Sequence, residues 1–514
     1  MANKIDRRQM LLGTAALGTT PLWMSNLAFA QSGDTLYMRM LEEMKAFDPP
    51  FSVGESDTWV IKTVHSGLID NKTGNEWDWE LLLAESIEQT DETTVTFKLR
   101  EGLQWSNGYG EVTAEDVKYS YERYRDEDLA APNAVSWAPL DHVEVTGTYT
   151  GIIHLKESFS GLFSYLLPRD PGSIICKKAW EEAGGAPGLE VPAGHGPYQI
   201  VEYRPGDRII FEPSPVWSGE EPAFKRVEML PITDTKAAEN AVLSGDLDWA
   251  IVSISAVPSM QEGLPDNLAL DIRSTPNFIW IGSNMNNPDL ADERVRKAIH
   301  MAIDRETVLE GAYFGVMEPS YGVAAKGAPG YMDSPPVERD VEGAKALLEE
   351  AGATGLSLRL DVPAEPDKVT AAQIVQANLA EVGINVSINQ HEAGAFWGLP
   401  ETLGQDLQLF FTEWTLVPPD MNWVTQWWLP EQAGVWNWQY LQDEEMERLH
   451  YASAAEIDPE KRGELLKQLQ TVVDESYTCF MLGHLPRPVL YDKTKVVPAM
   501  LPNAEPRTEK FKKA

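Results

Sequence analysis

The sequence predicts a soluble α/β protein built of two or more lobes. The chain has 514 residues, more than one hydrophobic core usually organises. Strand-like and helix-like segments alternate along most of its length, which is typical of α/β lobes with mixed sheets. After the first thirty residues, no segment approaches the apolar length that is needed to cross a membrane.

The N-terminus has the features of a secretory signal. The adjacent Arg7 and Arg8 precede an apolar run from Met10 to Leu17, which is too short to span a bilayer. A small-x-small cleavage pattern ends at Ala30. We expect residues 1–30 to be a twin-arginine-type signal peptide, cleaved after Ala30, and the mature protein to be periplasmic. An ordinary signal whose arginines happen to be adjacent is the alternative.

The first half of the mature chain contains two predicted strands and two predicted helices. A strand over Leu36–Met40 comes first, and Trp59–Leu68 has helical spacing. Thr93–Leu99 alternates polar and apolar residues, many of them β-branched, which indicates a half-buried strand. A turn at Asn107 and a helix capped by Thr113 follow.

The second half alternates in the same way, with longer helices. The predicted helices are Arg294–Ala302, Val341–Ala351 and Ala371–Val382. The predicted strands are Leu356–Val362, Ile384–Ile388 and Leu407–Phe411. Gly352 and Gly383 each follow a helix directly, where a left-handed residue commonly ends it. The charged tail Glu505–Ala514 is predicted to fray.

Charge is the strongest feature of the composition. The chain has 79 acidic and 42 basic residues, and its formal net charge of −37 becomes −39 once residues 1–30 are removed. A field of that sign repels nucleic acids and anionic lipid surfaces. We therefore expect neither as a partner.

The residues that carry metal and redox chemistry are sparse. Cys176 and Cys479 are the only cysteines, and a single long-range disulfide and two buried free thiols are both open. The eight histidines are scattered, with none paired at helical ligand spacing, so we expect no metal site and no cofactor. The chain lacks a Gly-x-Ser-x-Gly elbow and a phosphate-binding glycine loop, and we expect no catalytic residues and no enzyme activity.

Several short motifs together resemble a known family. They include Phe47-Asp48-Pro49, Trp105-Ser106-Asn107-Gly108, Gly194-His195-Gly196-Pro197-Tyr198 and Asp292-Glu293-Arg294-Val295-Arg296-Lys297-Ala298-Ile299. In this order the chain resembles bacterial extracellular solute-binding protein family 5, which contains oligopeptide-, dipeptide- and nickel-binding proteins. The resemblance extends over more than four hundred residues of the mature chain.

The resemblance implies a periplasmic binding protein type II-like fold, with two lobes of mixed sheets and a ligand cleft between them. Two crossover strands would join the lobes, and closure would occur by a hinge motion. Lobe I would comprise residues 31–74, 192–275 and 484–514, with an extra subdomain at 75–191, and lobe II residues 276–483. The implied partners are a small solute and an ABC permease with its ATPase subunits, and the implied state is a monomer.

Candidate ligand contacts concentrate between Phe396 and Tyr440, where seven of the 17 tryptophans lie. Trp397 and Trp414 follow or end a predicted strand, where α/β folds present binding loops. The resemblance implies an acid two residues after Trp414, but Leu416 stands there and cannot pair with a peptide ammonium group. The other candidate contacts are Asp420, with Glu413 as a possible substitute acid, and Trp436, Trp105 and Ser66.

Several classes of ligand stay open. A peptide or peptide-like solute is the first choice because such ligands are common in the family. Oligosaccharides are the second choice, since sugar faces stack on indole rings. Betaine or polyamine cations are a third class, because aromatic cages with nearby acids bind cations. Nickel or haem ranks last, and a role as ligand sensor for a membrane receptor is also open.

Overall fold

The computed structural model describes residues 33–159, 161–186, 188–414 and 420–514. The predicted signal peptide, its cleavage site and Leu416 lie outside the described residues. In the described part of the chain, no helix is both long enough and apolar enough to cross a membrane.

Strands and helices alternate as the sequence predicts. The strands are β1 (Thr35–Met40), β2 (Ser66–Gly67), β3 (Ile69–Asn71), β4 (Trp79–Leu81), β5 (Ala84–Gln89), β6 (Thr94–Leu99), β7 (Leu140–Val145), β8 (Thr150–Leu155), β9 (Ser173–Ile174), β10 (Tyr198–Arg204), β11 (Arg208–Pro213), β12 (Arg226–Pro231), β13 (Trp249–Ile251), β14 (Leu268–Ser283), β15 (Ser357–Pro363), β16 (Asn385–His391), β17 (Leu409–Trp414), β18 (Cys479–Asp492), β19 (Val496–Val497) and β20 (Lys512–Lys513). The α-helices are α1 (Glu55–Val64), α2 (Ala114–Glu122), α3 (Lys177–Glu182), α4 (Thr235–Ser244), α5 (Val257–Glu262), α6 (Glu293–Ala302), α7 (Arg305–Tyr313), α8 (Val341–Glu350), α9 (Pro366–Glu381), α10 (Ala393–Trp397), α11 (Leu399–Leu403), α12 (Met421–Thr425), α13 (Glu444–Ala455) and α14 (Pro459–Glu475).

A ten-stranded mixed sheet runs through the molecule in the order β10-β11-β12-β1-β13-β18-β14-β17-β15-β16. The two longest strands, β14 and β18, pair antiparallel from Leu268↔Asp492 to Gly282↔Cys479. Five strands lie on one side of this pair and three on the other. The pair therefore belongs to two lobes at once, which confirms the predicted two-lobed α/β class with two crossover strands.

Separate hydrophobic cores fill the units of the molecule. Lobe I, which carries β1 and β10–β13, has a core that includes Leu36, Trp249 and Val489. The subdomain, which carries the antiparallel sheet β5-β6-β8-β7, packs its own core around α2. Lobe II carries β15–β17 and buries apolar residues on both faces of the sheet. The exact residue boundaries predicted for these units stay a prediction.

The predicted helix over Trp59–Leu68 is wrong at both ends. Helix α1 begins at Glu55 and ends at Val64, and Ser66 and Gly67 pair with β9 as strand β2. A Cβ atom on Gly67 would lie 2.8 Å from the Gly172 carbonyl oxygen and 3.0 Å from that of Leu167. Close packing of two backbone segments therefore ends the helix, and helical spacing alone does not reveal this contact.

The prediction that the tail Glu505–Ala514 frays is also wrong. Glu505, Arg507 and Phe511 are almost completely buried in lobe I. Arg507 Nη1 lies 2.7 Å from Glu505 Oε1, and its Nε lies 3.4 Å from Asp70 Oδ1. Ion pairs within the tail and with Asp70 and Arg169 compensate the charges of Arg507 and Glu505, so these two residues stay buried.

The other local predictions agree more closely with the structure. Asp116 Oδ2 accepts a hydrogen bond from the Thr113 backbone N–H at 2.9 Å, which caps α2 as expected. Gly352 and Gly383 adopt positive φ angles of 67° and 84° just after their helices. Cys176 and Cys479 are both free and buried, so the thiol alternative holds over the disulfide.

Candidate functional site

A group of tryptophans lies where lobe II meets the crossover strands. Trp414 ends β17 and pairs with Phe278 of β14. The pairing of β14 with β18 is irregular between Ser274 and Phe278, where β14 passes from lobe I to lobe II. The register thus places Trp414 at the edge of lobe II that faces lobe I.

Trp436 is at the centre of this group. Its ring centroid lies 6.4 Å from that of Trp397, 6.0 Å from that of Trp414 and 6.0 Å from that of Trp427. The three interplanar angles are 58°, 69° and 61°, so the rings are inclined to one another and not stacked flat. Edge-to-face contacts of this kind are the arrangement that aromatic quadrupoles favour.

These rings line a cavity of about 500 Å³ that is open to solvent, which we call the indole cavity. Trp397 and Trp436 remain 47% and 40% exposed, unusually high for clustered tryptophans. The cavity volume falls in the range of small-molecule sites. The described residues that line the indole cavity are Trp397, Glu413, Trp414, Trp427 and Trp436.

Glu413 supplies the carboxylate of the indole cavity. Its Oε2 lies 3.2 Å from Lys368 Nζ, and Lys368 also donates a hydrogen bond to Glu365. Burial disfavours the charged form of Lys368, but Glu413, Glu365 and Asp367 together raise its pKa. Two carboxylates thus contact one ammonium group, and Asp367 adds a third negative charge that acts on it.

Two further cavities of about 500 Å³ each lie between the subdomain and lobe II, and we call them the interlobe cavities. Ser158, Phe159, Asp420 and Ala454 line both of them. Trp427 lines one interlobe cavity and also the indole cavity. The indole cavity therefore adjoins the space between the units.

Asp420 borders the interlobe cavities, but its carboxylate already has partners. Oδ1 accepts a hydrogen bond from the Asn422 backbone N–H at 3.0 Å and so caps α12. Both carboxylate oxygens accept hydrogen bonds from Arg462 Nη2 at 2.9 Å. These contacts fix the start of α12, the helix that leads to Trp427.

The structure brings three of the six predicted contacts together and separates the others. Trp397, Trp414 and Trp436 share the indole cavity, and Asp420 borders the interlobe cavities. Trp105 is only 2% exposed in the core of the subdomain, where its Nε1–H donates to Asp116 Oδ2 at 3.3 Å. Ser66 is 1% exposed and donates to the His195 carbonyl oxygen at 2.8 Å. Trp105 and Ser66 therefore lie outside the cavities described here.

Sequence reasoning did not select Trp427 or Lys368 as site residues. Trp427 and Trp428 are adjacent, and the spacing predicts only that at least one of them packs structurally. In the structure Trp428 is fully buried, whereas Trp427 lines the indole cavity. Lys368 gives no local signal, because its partner Glu413 lies 45 residues further along the chain.

Over the described ranges, no group of His, Cys, Asp and Glu residues is placed to hold a metal ion.

Comparison with known proteins places these features in a family. A profile described as "Bacterial extracellular solute-binding proteins, family 5 Middle" matches residues 78–435. The glutathione-binding protein GsiB of Salmonella typhi is 25% identical over 434 residues, which cover 80% of this chain and 82% of that protein.

Solved structures share the fold. The structure of HbpA2 from Haemophilus parasuis superposes with a TM-score of 0.83 at 21% identity, covering 93% of this chain and 100% of that one. The oligopeptide-binding protein AppA from Bacillus subtilis, in complex with a nonapeptide, gives a TM-score of 0.67 at 22% identity, with 93% and 99% covered. Since the profile match covers more than half of the sequence, the chain belongs to the bacterial extracellular solute-binding proteins of family 5.

Proposed function

We propose that the protein is the extracytoplasmic binding component of an ABC importer, which captures a peptide-like solute between its lobes and delivers it to the membrane permease. Family membership and the glutathione- and oligopeptide-binding relatives support this class of solute. The observation that carries the proposal is the set of ligand-sized cavities beside the crossover strands.

The crossover strands contain a local feature that suits a hinge. Between the pairs Ser274↔Pro486 and Phe278↔His484, three residues of β14 face one residue of β18. Such a bulge bends a strand and interrupts its ladder of hydrogen bonds. Thr275 Oγ1 donates to the Leu485 carbonyl oxygen at 2.9 Å and provides a side-chain contact within the bulge. Rotation about this segment would move lobe II relative to lobe I.

Capture by closure requires no catalytic group, and the proposed role includes none. The liganded closed form differs from the open form in the relation of its lobes, which is what a permease can recognise. In this proposal the protein is exported by the twin-arginine route, is cleaved after Ala30, and acts as a periplasmic monomer.

A thermal-shift screen of residues 31–514 tests the proposal. The solutes are short peptides including glutathione, oligosaccharides, betaines, polyamines and nickel complexes. A ligand at a hundredfold excess over its Kd adds about 2.7 kcal/mol to the free energy of unfolding. We expect the largest shift with peptide-like solutes, together with a smaller radius of gyration in X-ray scattering. A large shift with oligosaccharides would replace the ligand class, and no shift with any class from refolded, ligand-free protein would contradict a binding role.

A further inference from the structure

Resting on the proposed function, we propose that the indole cavity binds an alkylated ammonium group of the solute. The binding protein would then take solutes with a cationic, methylated or otherwise alkylated nitrogen. This ligand class follows from the shape of the cavity, its charge and its polar groups.

The inclined rings favour a compact group over a flat one. Rings inclined by 58° to 69° to Trp436 line the open cavity, so they do not offer one continuous flat surface. A sugar ring instead stacks on a flat exposed indole face. An alkylated ammonium group presents a roughly spherical cation that contacts several ring faces at once, which is the geometry of cation–π recognition.

The charge favours a cation. Glu413 lines the cavity directly, and Glu365 and Asp367 act with it on Lys368. The single ammonium of Lys368 is held between Glu365 and Glu413 and does not balance three carboxylates. The chain as a whole has a net charge of −37, which further attracts cations.

The polar groups disfavour a sugar or a peptide backbone in this cavity. Among the described residues that line it, Glu413 is the one side chain with a polar group other than the indole N–H. Sugars and peptide bonds are usually oriented in a site by several placed donors and acceptors. An alkylated ammonium group has few or no N–H groups to satisfy and needs mainly negative charge and aromatic faces.

The test uses a pair of probes of equal shape and different charge. Choline and its neutral isostere 3,3-dimethyl-1-butanol are titrated into residues 31–514 by calorimetry and by intrinsic tryptophan fluorescence. We expect choline to bind at least about tenfold more tightly than the neutral probe, since one cation–π cage contact contributes on that scale. Equal or tighter binding of the neutral probe would overturn the proposal and identify an apolar pocket.

Variants identify the place of binding. Trp436→Ala and Glu413→Gln should each weaken choline binding about tenfold or more. Glu413→Gln should change the affinity for the neutral alcohol by no more than about twofold. Glu413→Gln also removes an ion-pair partner of Lys368. Trp427→Leu is therefore added as a third site variant, because it changes an aromatic wall and leaves that ion pair intact. Matched controls are Glu306→Gln, an exposed acid of lobe II, and Trp217→Phe in lobe I, neither of which should change the affinity.

The outcomes separate this inference from the proposed function. If a peptide-like solute binds and closes the lobes, but choline binds no better than its isostere, the binding role stands and the ammonium subsite is excluded. If choline binds and all three site variants leave its affinity unchanged, the cation lies elsewhere and the indole cavity is excluded. If choline binds through the indole cavity but no solute induces closure, the subsite stands and the importer role fails.

Discussion

Single residues in this protein often act through partners that are distant in sequence. Asp474 is almost completely buried in lobe II, where Gln470 Nε2 of the same helix donates to its Oδ1 at 2.7 Å and Arg305, which is distant in sequence, acts on its charge. Burial raises the pKa of Asp474 to about 7, although the nearby Arg305 opposes this shift. Above pH 7 the folded state must therefore hold a buried carboxylate.

The pKa of Asp474 predicts that Asp474→Asn stabilises the protein at pH 8. A folded pKa above the unfolded value of 3.8 means that stability falls as pH rises from about 4 to 7 and then stays level. Removing the charge should raise the free energy of unfolding by roughly 1 to 4 kcal/mol at pH 8 and change it little below pH 4. Urea unfolding at both pH values measures this difference. The exposed Glu464→Gln is the control, and a gain of Asp474→Asn over wild type that is no larger at pH 8 than at pH 4 would contradict the assignment.

At the scale of elements, the C-terminal segment stabilises lobe I through buried charges. Lys62 Nζ lies 3.3 Å from Asp70 Oδ1, and Arg169 Nη2 lies 3.2 Å from Glu505 Oε2. Arg507 connects the two pairs by contacting both Asp70 and Glu505. Arg507 of the tail thus links the Lys62–Asp70 pair to the pair that Glu505 forms with Arg169 of the subdomain.

We expect Arg507→Met to destabilise the protein strongly. The change leaves Asp70 and Glu505 buried with one cation fewer, and breaking a buried pair costs about 3 to 5 kcal/mol. The matched control in the same segment is Lys513→Gln, whose partner Asp34 is exposed, and this change should have a much smaller effect because solvent screens exposed ion pairs. Thermal and urea midpoints of the two variants provide the comparison. Equal effects of the two changes would refute the importance of the buried network.

Elements with regular local patterns were predictable from sequence. The strand predicted over Thr93–Leu99 is β6, and the helix predicted over Arg294–Ala302 is α6, each within one residue at its ends. The end of α1 was not predictable, because it depends on the packing of Gly67 against a distant backbone. The same limit applies to the site: tryptophan density indicated the region, but the roles of Trp427, Trp105 and Lys368 depend on tertiary packing.

At the scale of the whole molecule, buried neutral histidines control acid stability. Burial lowers the pKa of His65 and His300 to about 3, and that of His450 and His484 to about 4. These histidines stabilise the fold fully above the unfolded pKa of about 6.5. That stability is lost as pH falls toward the folded values, because the unfolded chain takes up protons that the folded protein excludes.

The protein should therefore lose stability steeply between pH 6 and pH 4. Each histidine contributes a slope of about 1.4 kcal/mol per pH unit in this window. Buried carboxyl groups with raised pKa values, which are Asp474, Asp170, Asp248 and Glu509, oppose part of it. Thermal midpoints across this range, at constant ionic strength, measure the slope. His300→Leu should reduce it by the contribution of one proton, and an unchanged slope in that variant would show that His300 does not stay neutral in the fold.

The crossover pair also determines the order in which the protein can be completed during synthesis. Lobe II lies between β14 and β18, so a ribosome finishes it before the last strand of lobe I emerges. Strand β13 of lobe I pairs with β1 on one side, but its other neighbour is β18, where Ile251 faces Val489, and Phe511 fills the core beside Trp249. A nascent chain therefore carries lobe II before lobe I is closed, because Val489 and Phe511 of the lobe I core are synthesised after lobe II.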